Sequence, residues 1–215
     1  MKFDLEHDWQ GNMSTPRKNL GEKTKLHLFF VLSLIFLSTG LIGHEPWRPL
    51  ESTSISIILD IIQNNQVILP MAASENLITH PPLYSYVAAA FGKLFSPILP
   101  LHDAARLSNI FWLALTLISL GLITRELWGR GFGRQAGLLF IGSVGLILNI
   151  HSLIPEIATL LGYTMSLYAF SLYFRRPFRA SMVFGFGSGI AFLSGGITPL
   201  LVIFLSSIFL LVFNN

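Results

Sequence analysis

The sequence of 215 residues contains no cysteine and few charged residues. Without cysteine, the chain can form neither a disulfide framework nor a thiolate metal site. Asp, Glu, Lys and Arg make up 12% of the residues, against about 25% in typical soluble domains. This scarcity, with 52% apolar residues and a mean hydropathy of +0.63, predicts an all-α polytopic membrane protein. The net charge of +3 is no sign of nucleic-acid binding, because basic residues in a membrane protein report topology.

The long apolar stretches predict where the chain crosses the membrane, since a spanning helix needs about 20 apolar residues. They predict six spans, at residues 26–43, 107–124, 136–154, 157–174, 180–194 and 197–213. The last two are short arms of one apolar region, which Gly195-Gly196 and Pro199 interrupt. Residues 1–25 are polar and predict a cytoplasmic tail. The first apolar run has no small-x-small cleavage site after it, which favours a retained anchor.

The basic residues predict the orientation of these spans. Eleven of the 14 Lys and Arg residues fall on one side if the spans alternate, which is a positive-inside bias. We therefore expect both termini in the cytoplasm, a multi-pass protein of the plasma (inner) membrane, and a loop at 44–106 on the outer face. Apolar residues at helical spacing over 55–62 and the Pro81-Pro82 pair before 83–95 predict two interfacial helices in this loop, the first capped by Ser52 or Thr53. Tyr84 and Tyr86 lie near the start of the second helix and are expected to be interfacial aromatics.

Five residues on the outer side are candidates for chemistry, each with two open interpretations. Glu51 is either a general base or a first-turn glutamate that the helix dipole favours. His80 either faces a phosphate or is a solvated interfacial imidazole. Arg48 and Arg106 either neutralise phosphates or anchor lipid headgroups. Glu156 is either a functional acid close to the hydrocarbon or an acid that reaches the outer interface.

A divalent metal is a further candidate ligand at this face. Its donors would come from His44, Glu51, His80, His151 and Glu156, although their spacing matches no known metal motif. Two glycine patterns lie elsewhere. The stretch 129–133 lacks the Lys-Ser/Thr of a phosphate-binding loop and predicts a cytoplasmic turn. Gly185-x-x-x-Gly189 predicts a helix-packing surface.

The motifs of the outer loop carry a family resemblance. Trp47-x-Pro-x-Glu51, Ile68-Leu-Pro, His80-Pro-Pro-Leu-x-x-Tyr86 and Lys93-Leu-Phe resemble the first periplasmic loop of polyprenyl-phosphate-dependent GT-C glycosyltransferases. The nearest group is the relatives of the lipid A aminoarabinose transferase and the protein O-mannosyltransferases. Further matches follow in order to the end of the chain, at Asp103-Ala-Ala-Arg106-Leu, Leu127-x-Gly129, Pro155-Glu156 and Ala191-Phe-Leu-Ser-Gly-Gly196.

The resemblance implies transfer of a sugar from a polyprenyl-phosphate donor to a lipid or protein acceptor at the outer face. It implies that Glu51 belongs to the acidic pair of the first loop and that His80 occupies the place of a phosphate-facing residue. It also implies that Glu156 is the acid of the second outer loop. Two positions depart from the family: Leu50 stands where the first acid of the pair is expected, and Gly195 stands where the family has Lys.

These departures leave two functional hypotheses. The first is the N-terminal portion of such a glycosyltransferase, completed by further spans or by a partner subunit, because family members continue well beyond this length. The second is a catalytically inactive relative that binds lipid or a partner protein. A small transporter is a third class, but the spans show no inverted repeat.

Overall fold

The computed structural model describes residues 21–43, 45–46, 50–64, 81–129, 131–143, 145, 149 and 151–213. Within these ranges the chain forms helices and no strand, which confirms the predicted all-α class. The helices are α1 (Glu22–Ser38), α2 (Leu50–Asn64), α3 (Leu83–Phe95), α4 (Leu101–Trp128), α5 (Phe132–Ile141), α6 (Glu156–Tyr173), α7 (Pro177–Gly195) and α8 (Ile197–Phe213).

Helix α4 organises the described part of the chain. It contains 28 residues, about 42 Å at 1.5 Å per residue, and it packs against α3, α5 and α6. It is the one helix of the described ranges that is long and apolar enough to cross a membrane by length and composition. Helix α4 therefore supports association with a membrane, whereas the six-span arrangement stays a prediction.

The stretch at 136–154 differs from the expected single span. Helix α5 ends at Ile141, where Gly142 caps it with its N–H on the Leu138 carbonyl oxygen. Residues 151–155 are again non-helical. Glycine is a poor helix former, and Gly142 stands where α5 ends, whereas residues 145 and 149 are again helical. A helix of ten residues rises only about 15 Å, half of a bilayer core.

The tightest helix contact joins α6 to α7. A Cβ atom added at Gly162 would lie 2.7 Å from the Ala191 backbone nitrogen, and one added at Gly187 would lie 2.9 Å from the Ser166 backbone nitrogen. Nothing lies within 4 Å of the corresponding position at Gly185 or Gly189. The predicted packing surface was therefore wrong by two residues, and the small residues that pack are Gly187 and Ala191.

Helix α7 turns directly into α8 at the predicted break. Gly196 has a φ of +79°, a left-handed conformation that glycine adopts without steric cost. A Cβ atom added at Gly196 would lie 3.7 Å from Pro81 Cδ, which is ordinary van der Waals contact. The α7–α8 turn and the start of α3 are therefore at the same end of the molecule.

The core and the outer surface are both apolar. The core is formed by α1, α2, α3, α4 and α6, around side chains such as Ile58, Trp112 and Leu161. Large apolar side chains are also exposed along α1, α7 and α8, with Phe30 at 70%, Phe186 at 68% and Leu205 at 65%. The polar contacts that hold the bundle lie at one end of it, where α2, α3, α4 and α6 begin.

Candidate functional site

The most prominent polar feature is a buried ion pair between Glu51 and Arg106. Glu51 lies in the first turn of α2 and Arg106 in the second turn of α4, and both side chains are fully enclosed. Arg106 Nε donates to Glu51 Oε1 at 3.3 Å, and Nη2 donates to Oε2 at 3.0 Å. This two-point contact fixes the orientation of both planar groups. The ion pair therefore ties the start of α2 to the start of α4.

Asp103 extends the pair into a charge cluster, by which we mean Glu51, Asp103 and Arg106. Arg106 Nη1 donates to Asp103 Oδ1 at 2.9 Å, and the Gly43 backbone N–H donates to Asp103 Oδ2 at 3.2 Å. Asp103 is 2% exposed. His102 Nε2 lies 3.5 Å from Asp103 Oδ1, on the more accessible side of the cluster. The loop that follows α1 is thus attached to the same point.

Two backbone contacts attach the segment before α6 to this end. The Leu153 N–H donates to Glu51 Oε1 at 2.8 Å. Asn109 Nδ2 donates to the Ser152 carbonyl oxygen at 2.9 Å, while Asn109 Oδ1 accepts a hydrogen bond from the Tyr84 hydroxyl at 2.8 Å. The charge cluster and Asn109 together join five chain segments, namely the loop after α1, the starts of α2, α3 and α4, and the segment before α6.

The environment of Tyr84 shows how enclosed this region is. Tyr84 is fully buried, so the expectation that it is an interfacial aromatic was wrong. Burial raises the pKa of its hydroxyl far above the usual value, and the negative charges of Glu51 and Glu156 act in the same direction. The hydroxyl therefore stays protonated and remains a donor to Asn109.

Glu156 differs from the cluster residues because its side chain is exposed. It is the first residue of α6, in the first turn, where the helix dipole favours an acid. It forms no hydrogen bond or ion pair with any residue in the described ranges. It follows by three residues Leu153, whose N–H binds Glu51, so it lies near the buried polar residues. Glu156 is thus an unpaired carboxylate at the end where the cluster is located.

The predicted site residues are only partly brought together. Glu51 and Arg106 are in direct contact, and Glu156 lies at the same end. Arg48, His80 and His44 fall outside the described residues. Of the remaining predicted metal donors, His151 has Nε2 3.2 Å from the Phe36 carbonyl oxygen, and no group of three possible metal-binding side chains occurs in the described ranges.

Three residues of this end were not predicted as site residues. Asp103 had a visible signal, because Asp103 and Arg106 are three positions apart on one helix and can pair. Tyr84 and Asn109 lie 25 positions apart, and no local pattern predicts that they meet. Ser52 and Thr53, the predicted caps, lie within α2, which begins earlier at Leu50.

In the part of the chain that the structure describes, the fold is all-helical, with one candidate membrane-spanning helix and a saturated charge cluster at one end. Comparison with family models, curated proteins and solved structures finds no match for this chain. The resemblance to glycosyltransferases therefore remains a prediction that rests on sequence motifs.

Proposed function

We propose that the chain is a multi-pass membrane glycosyltransferase, or the N-terminal portion of one, that transfers a sugar from a polyprenyl-phosphate donor to a lipid or protein acceptor at the outer face. The observation that carries the proposal is the exposed, unpaired carboxylate of Glu156 at the end that contains the charge cluster. The family resemblance of the loop motifs supports it. The alternative remains an inactive relative that binds lipid or a partner protein.

Exposed apolar surface supports the multi-pass arrangement. Helices α7 and α8 have 19 and 17 residues, about 28 and 26 Å, close to the roughly 30 Å core of a bilayer. Their outward side chains are largely apolar, and apolar surface of this extent marks contact with lipid or protein. In this proposal the charge cluster lies outside and the opposite end in the cytoplasm, which the distribution of basic residues favours.

The proposed chemistry assigns the base to Glu156. Its carboxylate takes the proton of an acceptor hydroxyl, and the hydroxyl oxygen attacks the anomeric carbon of the donor sugar. The bond from that carbon to the phosphate oxygen breaks, and polyprenyl phosphate leaves with the bonding electrons. His80 and Arg48 are the predicted phosphate-binding residues.

Glu51 and Arg106 receive positioning roles in this proposal. Their charged groups are satisfied by each other, by Asp103 and by the Leu153 N–H, in a site closed to solvent. A guanidinium that two carboxylates already neutralise is poorly suited to hold a donor phosphate. The cluster instead fixes the segment that leads into Glu156.

The test is sugar transfer from a labelled polyprenyl-phosphate sugar by purified protein in lipid vesicles. Glu156→Gln removes the base and keeps the shape, so the rate should fall by about 10²–10⁴-fold. Glu126→Gln is the matched control, because this acid lies at the other end of α4, and its rate should stay at the wild-type level. Wild-type transfer by the Glu156→Gln variant would overturn the assignment.

A second experiment separates the two candidate functions. The closed, self-satisfied state of Glu51 and Arg106 favours the inactive relative, because neither group is presented to a substrate. That hypothesis predicts binding of the polyprenyl-phosphate sugar, or of a partner protein, without turnover by the wild-type chain. Turnover that depends on Glu156 would exclude it.

A further inference from the structure

Arginine and aromatic residues are interleaved at the turn between α6 and α7. The stretch 173–179 has the sequence Tyr-Phe-Arg-Arg-Pro-Phe-Arg, and all seven residues are exposed. Phe174 is 75% exposed and Phe178 is 72% exposed, although Phe is among the residue types most often buried. We call residues 173–179 the arginine–aromatic turn. Its exposed aromatic side chains are not part of the core, so their role lies at the surface.

The arginine–aromatic turn lies at the end of the molecule opposite the charge cluster. Arg175 Nη1 is 3.4 Å from Glu126 Oε2, and Glu126 belongs to the last turn of α4. Trp128, the last residue of that helix, is also exposed. Exposed Trp and Tyr side chains near basic residues are typical of the boundary between a membrane and water. The turn and the end of α4 together have the composition of such a boundary.

The positive charge of the turn is only partly neutralised. Neither Arg176 nor Arg179 has an ion pair or a side-chain hydrogen bond with any residue that the structure describes. Residues 157–215 contain no Asp or Glu, so α7 and α8 offer no carboxylate. Arg179 also lies in the first turn of α7, where the positive end of the helix dipole disfavours a cation. The charge of these two arginines is therefore open to an anion from outside the chain.

An apolar stripe continues from the turn along α7. Phe178, Met182 and Phe186 are all exposed, and residues four positions apart are neighbours on one side of a helix. A Cβ atom added at Gly185, beside this stripe, would meet nothing within 4 Å. The side of α7 that follows the arginines is thus open and apolar.

We propose that the arginine–aromatic turn binds the headgroups of anionic phospholipids. A guanidinium group donates paired hydrogen bonds to phosphate oxygens, and basic residues at a membrane surface attract anionic lipids. The aromatic side chains lie at the level of the headgroups, and the apolar stripe of α7 contacts the acyl chains. The proposal requires association with a membrane, which α4 supports, and does not depend on sugar transfer. Failure of either proposal therefore leaves the other intact.

The experiment compares the phospholipids that the full chain retains after extraction by detergent from vesicles of phosphatidylglycerol and phosphatidylcholine in equal amounts. Native mass spectrometry counts them, and the wild-type protein should retain phosphatidylglycerol in preference. Arg176→Gln and Arg179→Gln should each lower the ratio of phosphatidylglycerol to phosphatidylcholine about fivefold, the size of one cation's effect near an anionic membrane surface. Lys93→Gln is the matched control, because this exposed cation follows Gly92, which packs against the start of α4. Its ratio should stay close to the wild-type value.

A further variant separates the headgroup from the acyl chains. Phe178→Ser removes apolar contact and keeps the charge, so it should lower the retention of both phospholipids and leave their ratio unchanged. All these substitutions change exposed side chains, so the variants should fold. A wild-type ratio in the Arg176→Gln/Arg179→Gln double variant would overturn the proposal, and so would an equal loss with Lys93→Gln. Binding of polyuridylate that requires the two arginines, with an unchanged lipid ratio, would also overturn it and identify a nucleic acid as the partner.

Discussion

The two ends of α4 differ in the environment of an arginine, which is buried at one end and exposed at the other. Near the start of the helix, Arg106 is fully buried and contacts two carboxylates within 3.3 Å. Near the end, Arg125 is exposed and has no acidic partner among the described residues. The same side chain on the same helix thus has two environments.

Desolvation explains why the two environments have different consequences. A charge taken out of water must be paired and hydrogen-bonded, because an unpaired buried charge costs several kcal/mol. Arg106 therefore stabilises the fold and is not available to bind a ligand. A solvated arginine has no such requirement and stays available to a ligand. Candidate sites at either end should thus be sought among the exposed, unpaired groups of the described residues, such as Glu156 at one end and Arg125 at the other.

The largest expected effect comes from removing the cluster arginine. Arg106→Met removes the guanidinium that faces the buried carboxylates of Glu51 and Asp103, and breaking a buried pair in this way costs about 3–5 kcal/mol. The apparent melting temperature in detergent should fall by roughly 10 °C. Arg125→Met, on the same helix, should change it by no more than about 2 °C.

A double variant tests whether the loss of stability comes from the buried carboxylates that lose their contact with Arg106. Arg106→Met with Glu51→Gln removes the charge of one of these carboxylates, so it should be less destabilised than the sum of the two single variants. If Arg106→Met costs no more than Arg125→Met, the cluster does not stabilise the fold and the contrast between the two ends disappears.

The helices could be predicted from sequence where their signals are local. Pro81-Pro82 predicts the start of α3 at Leu83, and the structure has the same bounds for this helix. Gly195-Gly196 predicts the break between α7 and α8. Both signals act through the conformational limits of one or two residues, which need no knowledge of the remaining chain.

The site could be predicted only in part because its contacts join distant positions. Glu51 and Arg106 are 55 residues apart, and their pairing depends on how α2 and α4 pack. The sequence also did not reveal which face of each helix packs against its neighbours. A spacing of four marks Gly185 and Gly189 as neighbours on one face, but packing with α6 uses the face that carries Gly187.

A smaller effect is expected from the neutral part of the buried end. Tyr84→Phe removes the donor to Asn109, and a buried acceptor left without its partner costs about 1–3 kcal/mol. Tyr173→Phe is the matched control, because Tyr173 is 55% exposed, and its effect should stay below about 0.5 kcal/mol. Unfolding by denaturant in detergent measures both variants.

The pH dependence of the same variant provides a second measurement. Because burial raises the pKa of Tyr84, the folded chain keeps a proton that the unfolded chain loses above its usual pKa of about 10. The stability that this tyrosine contributes is complete below pH 10 and falls as the pH rises further. Tyr84→Phe should reduce that fall, and an unchanged slope above pH 10 would contradict the enclosure of Tyr84.

The smallest effect is expected at Glu126, the acid that follows Arg125. Its pair with Arg175 is long, and the arginine is 70% exposed, so the contact contributes at most about 1 kcal/mol. An acid in the last turn of a helix also opposes the helix dipole, which offsets that contribution. Glu126→Gln should therefore leave the melting temperature within about 2 °C of wild type. A clear loss of stability would mean that charges at this end also stabilise the fold.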